Sequence, residues 1–592
     1  LLLRWLFCFG LLAGGLVAGA WAQDQRVFLI SLDGLGYRAL TQDPAAQDMR
    51  FLQKVVKEGI AAPMQTAFPS LTAAAHASIF TGVYGNENGV TANSVSPRPR
   101  AEHRFDERVN GFRAEQLDRE NFWLAWARKG LRVTSSNSTQ GYPCRAVNSG
   151  ENVALLNGYQ TMQVAPEMLL RAKDVEWLRE RPEGFPPLRS RKLARYFAYL
   201  AGKNRVTGAL WAKGRNYDSV TLAAAGKFIT ADLRKVEDEP LRAEGKTREL
   251  ARYFAGPLEL APQAGVYVRL FAVSPKGDDF LLYQTPAKEI SLCWNGAEQD
   301  SSAKARLFAA AGAFVGNGAG GIYSRGGFGP PLQDGVAESR LLETLELHTR
   351  QTMAHTRWML EHYQPRLAVD YLSTPDDMLH LWWGLAEKSE PFLDRYRAWG
   401  YQMIDWRVAR LAELGRPQDH LVVVSDHGMT AMTHELRLNQ LLSDWGYRER
   451  VFASYYGLFV NTKDWQGGLV EAAEKRGLLE ELRSRLEKYE FEGKKIFRAF
   501  YWPEEAAASY GAGGDRGADL YFDLADGWSH SSRMGAPVAQ KLPEPRGEHG
   551  PLPTREDLLA VFLHLGPGQE ARPAKLRTVD VASYIQKLLA IH

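Results

Sequence analysis

Thr72 opens the run Thr-Ala-Ala-Ala-His-Ala-Ser-Ile-Phe-Thr-Gly, and Asn93 follows the Gly/Asn-rich turn Gly-Asn-Glu-Asn-Gly at 85–89. A threonine hydroxyl is a weak nucleophile until a metal or a base lowers its pKa. At the first turn of a helix it meets free N–H groups and a dipole that favour an anion. Asn93 adds an amide N–H donor for a non-bridging phosphoryl oxygen. Other places gather metal-ligand types: Asp33, Asp376 with His380, Asp426 with His427, and His549. Asp376 and His380 are four apart, so on a helical turn they share one face and can grip one ion. Asp426 and His427 stand where a strand stops, so strand alternation no longer separates them. His549 lies in the turn-like Arg-Gly-Glu-His-Gly-Pro at 546–551, which brings an imidazole in from far along the chain. Carboxylate and imidazole ligands without thiolate suit zinc in a hydrolytic site, ahead of manganese or iron. Two ions about 4 Å apart would span both oxygens of an in-line displacement.

These residues need elements that deliver them to one place. The apolar run Val-Phe-Leu-Ile-Ser-Leu ends at Asp33, Leu-Ala-Val-Asp-Tyr-Leu ends before Asp376, and His-Leu-Val-Val-Val ends before Asp426. Such runs are what buried parallel strands require. Helical patterns over about 338–363 and 396–414 precede two of them. The alternation predicts an α/β fold with a mostly parallel central sheet flanked by helices. Ligands of such sheets bind beyond the carboxyl ends of the strands, which makes the acidic strand ends candidates for one site. Between 96 and 335 the pattern changes. Gly-Val-Tyr-Val-Arg-Leu-Phe-Ala-Val and Phe-Leu-Leu-Tyr-Gln flank a turn and predict a β-hairpin, within a stretch otherwise rich in charge, Gly and Pro. The expected plan is an export segment at 1–22, a first part of the core at 23–95, a partly β insertion at 96–335, and the rest of the core at 336–592.

The 592 residues are 45% hydrophobic and 11% aromatic, as an ordered globular chain requires, and the net charge of +3 gives no reason to expect binding to a nucleic-acid duplex. An apolar run with one Arg leads to Ala20-Trp21-Ala22, an export signal with an A-x-A cleavage site. The expectation is a secreted or periplasmic protein, membrane-bound only if that segment is retained. Cleavage leaves Cys144 and Cys293, for which an oxidising compartment allows one disulfide.

The motifs Ser-Leu-Asp-Gly, Thr-Ala-Ala-Ala-His-Ala-Ser-Ile-Phe-Thr-Gly with Asn-Gly-Val-Thr-Ala-Asn, Pro-Asp-Asp-Met-Leu-His, Ser-Asp-His-Gly-Met and Gly-Glu-His-Gly occur in this order. In that respect the chain resembles the alkaline phosphatase superfamily, most of all its nucleotide pyrophosphatase/phosphodiesterase branch. The resemblance covers about 26–94 and 338–592. It implies an alkaline-phosphatase-like sandwich, Thr72 as nucleophile and Asn93 as the phosphoryl-oxygen donor. It also implies two zinc ions per chain, one on Asp376, His380 and His549, the other on Asp33, Asp426 and His427 with Thr72 bound to it. Nucleotide-cleaving members usually carry an aromatic residue directly after the nucleophile; here it is Ala73, which predicts modest nucleotide preference. None of the Lys-x-Arg triplets in the chain is clearly of the kind that monoesterase relatives use to hold a phosphate dianion.

The expected function is therefore an exported two-zinc hydrolase of small phosphate esters, acting through a covalent phosphothreonine, on diesters or pyrophosphates before monoesters. The alternatives are an alkaline phosphomonoesterase, a sulfatase, whose C/S-x-P-x-R motif is absent at the nucleophile, and a non-catalytic binding protein, which would be expected to have lost ligands. Other patterns read as structural. His76 packs under the nucleophile helix. His348, His355 and His362 recur every seven residues, about 10.5 Å apart along a helix, too far to share an ion. Gly316–Gly321 fits G-x-G-x-x-G without the helix a dinucleotide site needs. Arg98 and Arg100 belong to a solvated loop, and Asn137-Ser138-Thr139 is a glycosylation sequon.

Overall fold

The computed structural model describes residues 25–146, 152–234, 253–386, 391–568 and 576–590. The expected export segment lies outside them. Among the described residues no helix is long and apolar enough to cross a membrane.

A ten-stranded sheet forms the centre. Its strands in chain order are β1 (Val27–Leu32), β2 (Ile60–Gln65), β3 (Val133–Ser136), β4 (Val153–Asn157), β5 (Ser291–Trp294), β6 (Ala297–Glu298), β7 (Leu367–Leu372), β8 (His420–Val424), β9 (Ala560–Leu565) and β10 (Leu576–Arg577). Across the sheet they run β6-β5-β4-β3-β7-β1-β8-β9-β2-β10. The block β4-β3-β7-β1-β8 is parallel throughout, while β9 runs antiparallel to both its neighbours, β8 and β2.

Strand periodicity splits β1 between two cores. Phe28, Ile30 and Leu32 face helices α2 (Val336–Tyr363), α3 (Thr374–Ala386) and α4 (Pro391–Ala412). Val27 and Leu29 face the other side, with Ile79 and Phe80 of α1 (Thr72–Thr81) and Val581 and Ile585 of α5 (Asp580–Leu588). A sheet apolar on both faces and covered by helices on both is the three-layer solution expected of mostly parallel strands. The helices expected near 338–363 and 396–414 are α2 and α4.

The segment 96–335 is not set apart from the core as expected. β3, β4, β5 and β6 all come from it and complete one half of the central sheet. Only its middle builds a separate unit: a five-stranded sheet packed on a four-stranded one around Phe197, Val220, Val268 and Leu282. The expected hairpin is there, as Ala264–Val273 paired antiparallel with Phe280–Gln284. Arg269 ties it to the core through a fully buried ion pair with Glu343 of α2, Nε to Oε2 at 2.7 Å. Cys144 and Cys293, whose proximity the sequence left open, form a disulfide that fixes the segment after β3 to β5.

A further β unit follows β8. Its strand Thr430–Leu436 pairs antiparallel with Ala539–Glu548, which delivers His549 to the edge where β1, β7 and β8 end.

Candidate metal centre and active-site cavity

Asp33 follows β1 directly, and Gly34 after it adopts φ +70°; a Cβ there would lie 2.8 Å from Asp376 Oδ1, so glycine is what lets the two strand ends converge. Asp376 and His380 occupy the first turns of α3, beyond β7. Asp426 and His427 follow β8. Their ligand atoms gather into two groups, Asp33–Asp426–His427 and Asp376–His380–His549, each with all donor atoms within 4.8 Å of one another. Six of the seven residues expected as ligands are thus brought together in threes, and the seventh, Thr72, lies beside His427.

The hydrogen bonds behind the ligands set which atoms are free. His380 Nδ1 lies 2.8 Å from Gly547 O, His427 Nδ1 3.0 Å from Gly428 O, and His549 Nδ1 2.7 Å from Ser70 O. A carbonyl only accepts, so each Nδ1 donates and each Nε2 is turned to the centre, the arrangement in which a histidine holds a metal. Asp426 Oδ1 accepts from the N–H groups of Gly34 and His427, and the Tyr371 hydroxyl donates to Asp33 Oδ2. Of the remaining oxygens, Asp376 Oδ2 faces His380 Nε2 at 3.3 Å, while Asp33 Oδ1, Asp376 Oδ1 and Asp426 Oδ2 are buried without a hydrogen-bond partner. Buried carboxylate oxygens left unpaired are costly. Three of them beside three Nε2 atoms fit divalent cations.

The electrostatics agree. Burial, with Asp426 and Asp376 nearby, holds Asp33 well above the usual carboxylate range. Burial would also raise Asp376, but His380 and His549 outweigh it and bring it to about 2. Burial lowers the His380 imidazole, yet Asp376 raises it to about 10, while burial and His427 hold His549 down to about 3. Without metal, the centre balances its carboxylates with protons that a cation would displace.

Thr72 is the first residue of α1, its Oγ1 3.3 Å from His427 Nε2. Asn93 lies across from it, its Oδ1 accepting from Ala73 N–H at 2.8 Å. That bond serves one free N–H of the helix and turns the Asn93 NH2 away from the helix. Both residues line a cavity of about 290 Å³ together with Asp33, Asp376, His380 and His549.

Several contributors escaped the sequence reading. His76, read there as packing, donates from Nδ1 to Thr72 O at 2.9 Å, sits 3.3 Å from Asp426 Oδ2 and meets Ser31 Oγ through Nε2 at 2.7 Å. It therefore joins the backbone of Thr72 to Asp426; its i, i+4 spacing from Thr72 was the available signal. The space beside Ala73 is filled: Ala73 is fully buried against Ala77, Val90 and Val95, with Phe112 packed on the group and lining the cavity. Asn137-Ser138-Thr139 is no surface sequon but a buried part of the cavity wall. Gly316–Gly321 runs into a short helix, Gly320–Ser324, and sets Asn317 against Asp377 at 2.7 Å. Arg98 and Arg100 are held by Asp118 and Asp464 in surface ion pairs. His348 and His355 are fully buried on α2.

Comparison with known proteins gives the following. The family model described as type I phosphodiesterase / nucleotide pyrophosphatase matches residues 27–200 and 281–552. Among solved structures, the chain is similar to phosphonoacetate hydrolase from Sinorhizobium meliloti 1021 in complex with phosphonoformate, at 14% identity over 96% of each chain and a TM-score of 0.48. It is also similar to murine ectonucleotide pyrophosphatase/phosphodiesterase 5, at 12% identity over 96% of each chain and a TM-score of 0.46. No curated protein matches the sequence significantly.

Proposed function

Because the chain belongs to the type I phosphodiesterase / nucleotide pyrophosphatase family, and is thus a metal-dependent phosphoric ester hydrolase, we propose that it is an exported two-zinc phosphodiesterase working through a covalent intermediate on Thr72. The observation that carries this reading is the pair of carboxylate–histidine groups, each with unpartnered buried oxygens, converging beside one nearly buried hydroxyl.

Asp33, Asp426 and His427 would hold one ion and Asp376, His380 and His549 the other. When bound, such ions lower the pKa of a hydroxyl and offset charge on the attacking and leaving oxygens. The chain's own groups do the rest. Thr72 Oγ1 forms a bond to phosphorus as the bond to the leaving oxygen, on the opposite side, breaks. Asn93 Nδ2 donates to a non-bridging oxygen, positioned by the bond its Oδ1 accepts from Ala73 N–H. His76 holds the backbone of Thr72 at a fixed distance from Asp426. Water then cleaves the Thr72–phosphorus bond, and two displacements retain configuration at phosphorus.

Diesters are favoured over monoesters because none of the described residues lining the cavity is Lys or Arg. The extra charge of a monoester dianion would find no cationic side chain beyond the metal centre. The substrate is a small phosphate ester, and the near-neutral net charge gives a nucleic-acid duplex no electrostatic footing. Export is supported by the apolar leader in the sequence and by the disulfide, which persists in oxidising compartments.

The test is rapid-quench mass spectrometry with bis(4-nitrophenyl) phosphate, run beside 4-nitrophenyl phosphate and 4-nitrophenyl sulfate. The expected result is a nitrophenylphosphoryl adduct on Thr72, the diester cleaved fastest, no turnover by Thr72→Ala and partial turnover by Thr72→Ser. Near-normal turnover by Thr72→Ala would mean that water attacks phosphorus directly, and the covalent route would be wrong.

A further inference from the structure

The parallel strands β3 and β4 end on the same edge of the sheet as β1, β7 and β8, and their terminal residues form the cavity wall beside the metal centre. That wall is built from uncharged hydrogen-bonding groups. Asn137, 1% exposed, takes the left-handed conformation at φ 60° and its Oδ1 accepts from Gly158 N–H at 3.0 Å. Its Nδ2 is left buried without a partner. Thr139, 4% exposed, likewise leaves its hydroxyl unpartnered. Buried polar groups of this kind are normally satisfied, so two in one cavity wall point to a ligand.

The rest of the cavity narrows the chemistry. The absence of Lys and Arg among the described residues of the lining disfavours a second anionic group. Asp377 does not offer a bare carboxylate to a cation, since Ser373 Oγ and Asn317 Nδ2 each donate to it at 2.7 Å. Base stacking needs an open ring face. Tyr159 is packed edge-on against Phe314 and Tyr371 with its hydroxyl on His348 and Ser373, so it offers no such face. Tyr371, the other tyrosine of the lining, is likewise packed edge-on against His76 and Tyr159 with its hydroxyl on Asp33, and Phe112 is partly covered by the group around Ala73.

We propose that the Asn137–Thr139 wall binds a neutral, hydroxyl-bearing group of the phosphate ester, glycerol-like or cyclitol-like. This assignment rests on the phosphodiesterase reading above and names its substrate class. A hydroxyl oxygen accepts from Asn137 Nδ2, and a hydroxyl meets Thr139 Oγ1 as donor or acceptor.

The experiment keeps one leaving group and varies the other ester. The 4-nitrophenyl phosphodiesters of glycerol, methanol, choline and thymidine (through O5′) are compared by kcat/KM with the zinc-loaded full chain. The expected result is at least about tenfold preference for glyceryl over methyl, the size of two neutral hydrogen bonds. That ratio falls at least about threefold in Thr139→Val, which keeps the side-chain shape, and in Asn137→Asp, which keeps the bond to Gly158 and removes the donor. A glyceryl-to-methyl ratio near one, unchanged ratios in both variants, or a choline or thymidine ester preferred over glyceryl would overturn the assignment while leaving the diesterase reading standing. No cleavage of any of the four would instead sink the diesterase reading, and this assignment with it.

Discussion

Replacing Asp426 separates its two jobs. Its Oδ1 accepts from two buried backbone N–H groups, Gly34 at 2.9 Å and His427 at 3.0 Å, while its Oδ2 faces His427 Nε2 at 3.1 Å and His76 Nδ1 at 3.3 Å. Asp426→Ala orphans both N–H groups, at about 1–3 kcal/mol each, so the loss of stability is about 2–6 kcal/mol. Asp426→Asn keeps a carbonyl oxygen for those two donors and should unfold within about 1 kcal/mol of the parent. It removes the charge at Oδ2 and places an NH2 against the His427 Nε2 lone pair, taking two donors from one metal group at once. Residues hydrogen-bonded behind a metal ligand already account for about 10–100-fold in affinity or activity, so losing a ligand should reduce kcat/KM by more than about a hundredfold. Denaturant unfolding read by tryptophan fluorescence, zinc content by elemental analysis, and diester turnover are measured on both variants. Asp426→Asn should hold about one zinc fewer than the parent. If it binds the parental amount of zinc and turns over normally, Asp426 is not a ligand. If Asp426→Ala is as stable as Asp426→Asn, the assignment of its backbone role is wrong.

Further outcomes concern protons, packing and the accessory unit. In the metal-free protein His380 is raised from 6.5 to about 10, so its stabilising contribution is complete below about 6.5 and fades as pH rises through about 10; that of Asp376, lowered from 3.8 to about 2, is complete above 3.8 and is lost as pH falls through about 2. Zinc must displace the His380 proton, so affinity measured by chelator competition should rise about tenfold per unit between about pH 7 and 9, and a flat profile would remove His380 from the ligands. Ala73→Phe should not create a base pocket, because the side chain has no room beside Val90 and Val95; overpacking should destabilise the chain by about 1–3 kcal/mol in thermal or denaturant unfolding. The parent should prefer a nucleotide diester to an aryl methyl diester by less than about a hundredfold, as fits the absence of a full stacking slot worth about 1–3 kcal/mol. Glu343→Ala strands the buried Arg269 guanidinium and should cost about 3–5 kcal/mol, seen as faster hydrogen exchange in the hairpin at 264–284 with little change in kcat.

The site was legible because its residues end long apolar strands. Asp33, Asp376 and Asp426 each follow a run that only a buried strand explains, and His380 and His427 fall at spacings that secondary structure makes neighbours. The unread parts have different causes. Val133–Ser136, Val153–Asn157 and Ser291–Trp294 are four or five residues long, and two of them carry serines. They look like turns until the sheet supplies their partners, which is why 96–335 read as an insertion. Asn137-Ser138-Thr139 read as a glycosylation sequon because its burial comes from the chain turning at the end of β3 against β4. Phe112 lies nineteen residues beyond Asn93, and only the packing around Ala73 connects it to that motif.

The position of β9 has a consequence for the order of events during synthesis. β8 and β2 become neighbours only through residues 560–565, and His549 arrives just before them. A nascent chain that has emerged through Val424 holds Asp33 and Thr72 but neither Asp426 nor His427, and the second metal group stays incomplete until residue 549. At about 5–20 residues per second, roughly half a minute to two minutes of translation pass before a competent centre can close. The pairings that close it span most of the chain, so they add a slow step after release. An emerging chain therefore cannot hydrolyse phosphate esters, and catalytic competence is confined to the finished molecule wherever it completes folding.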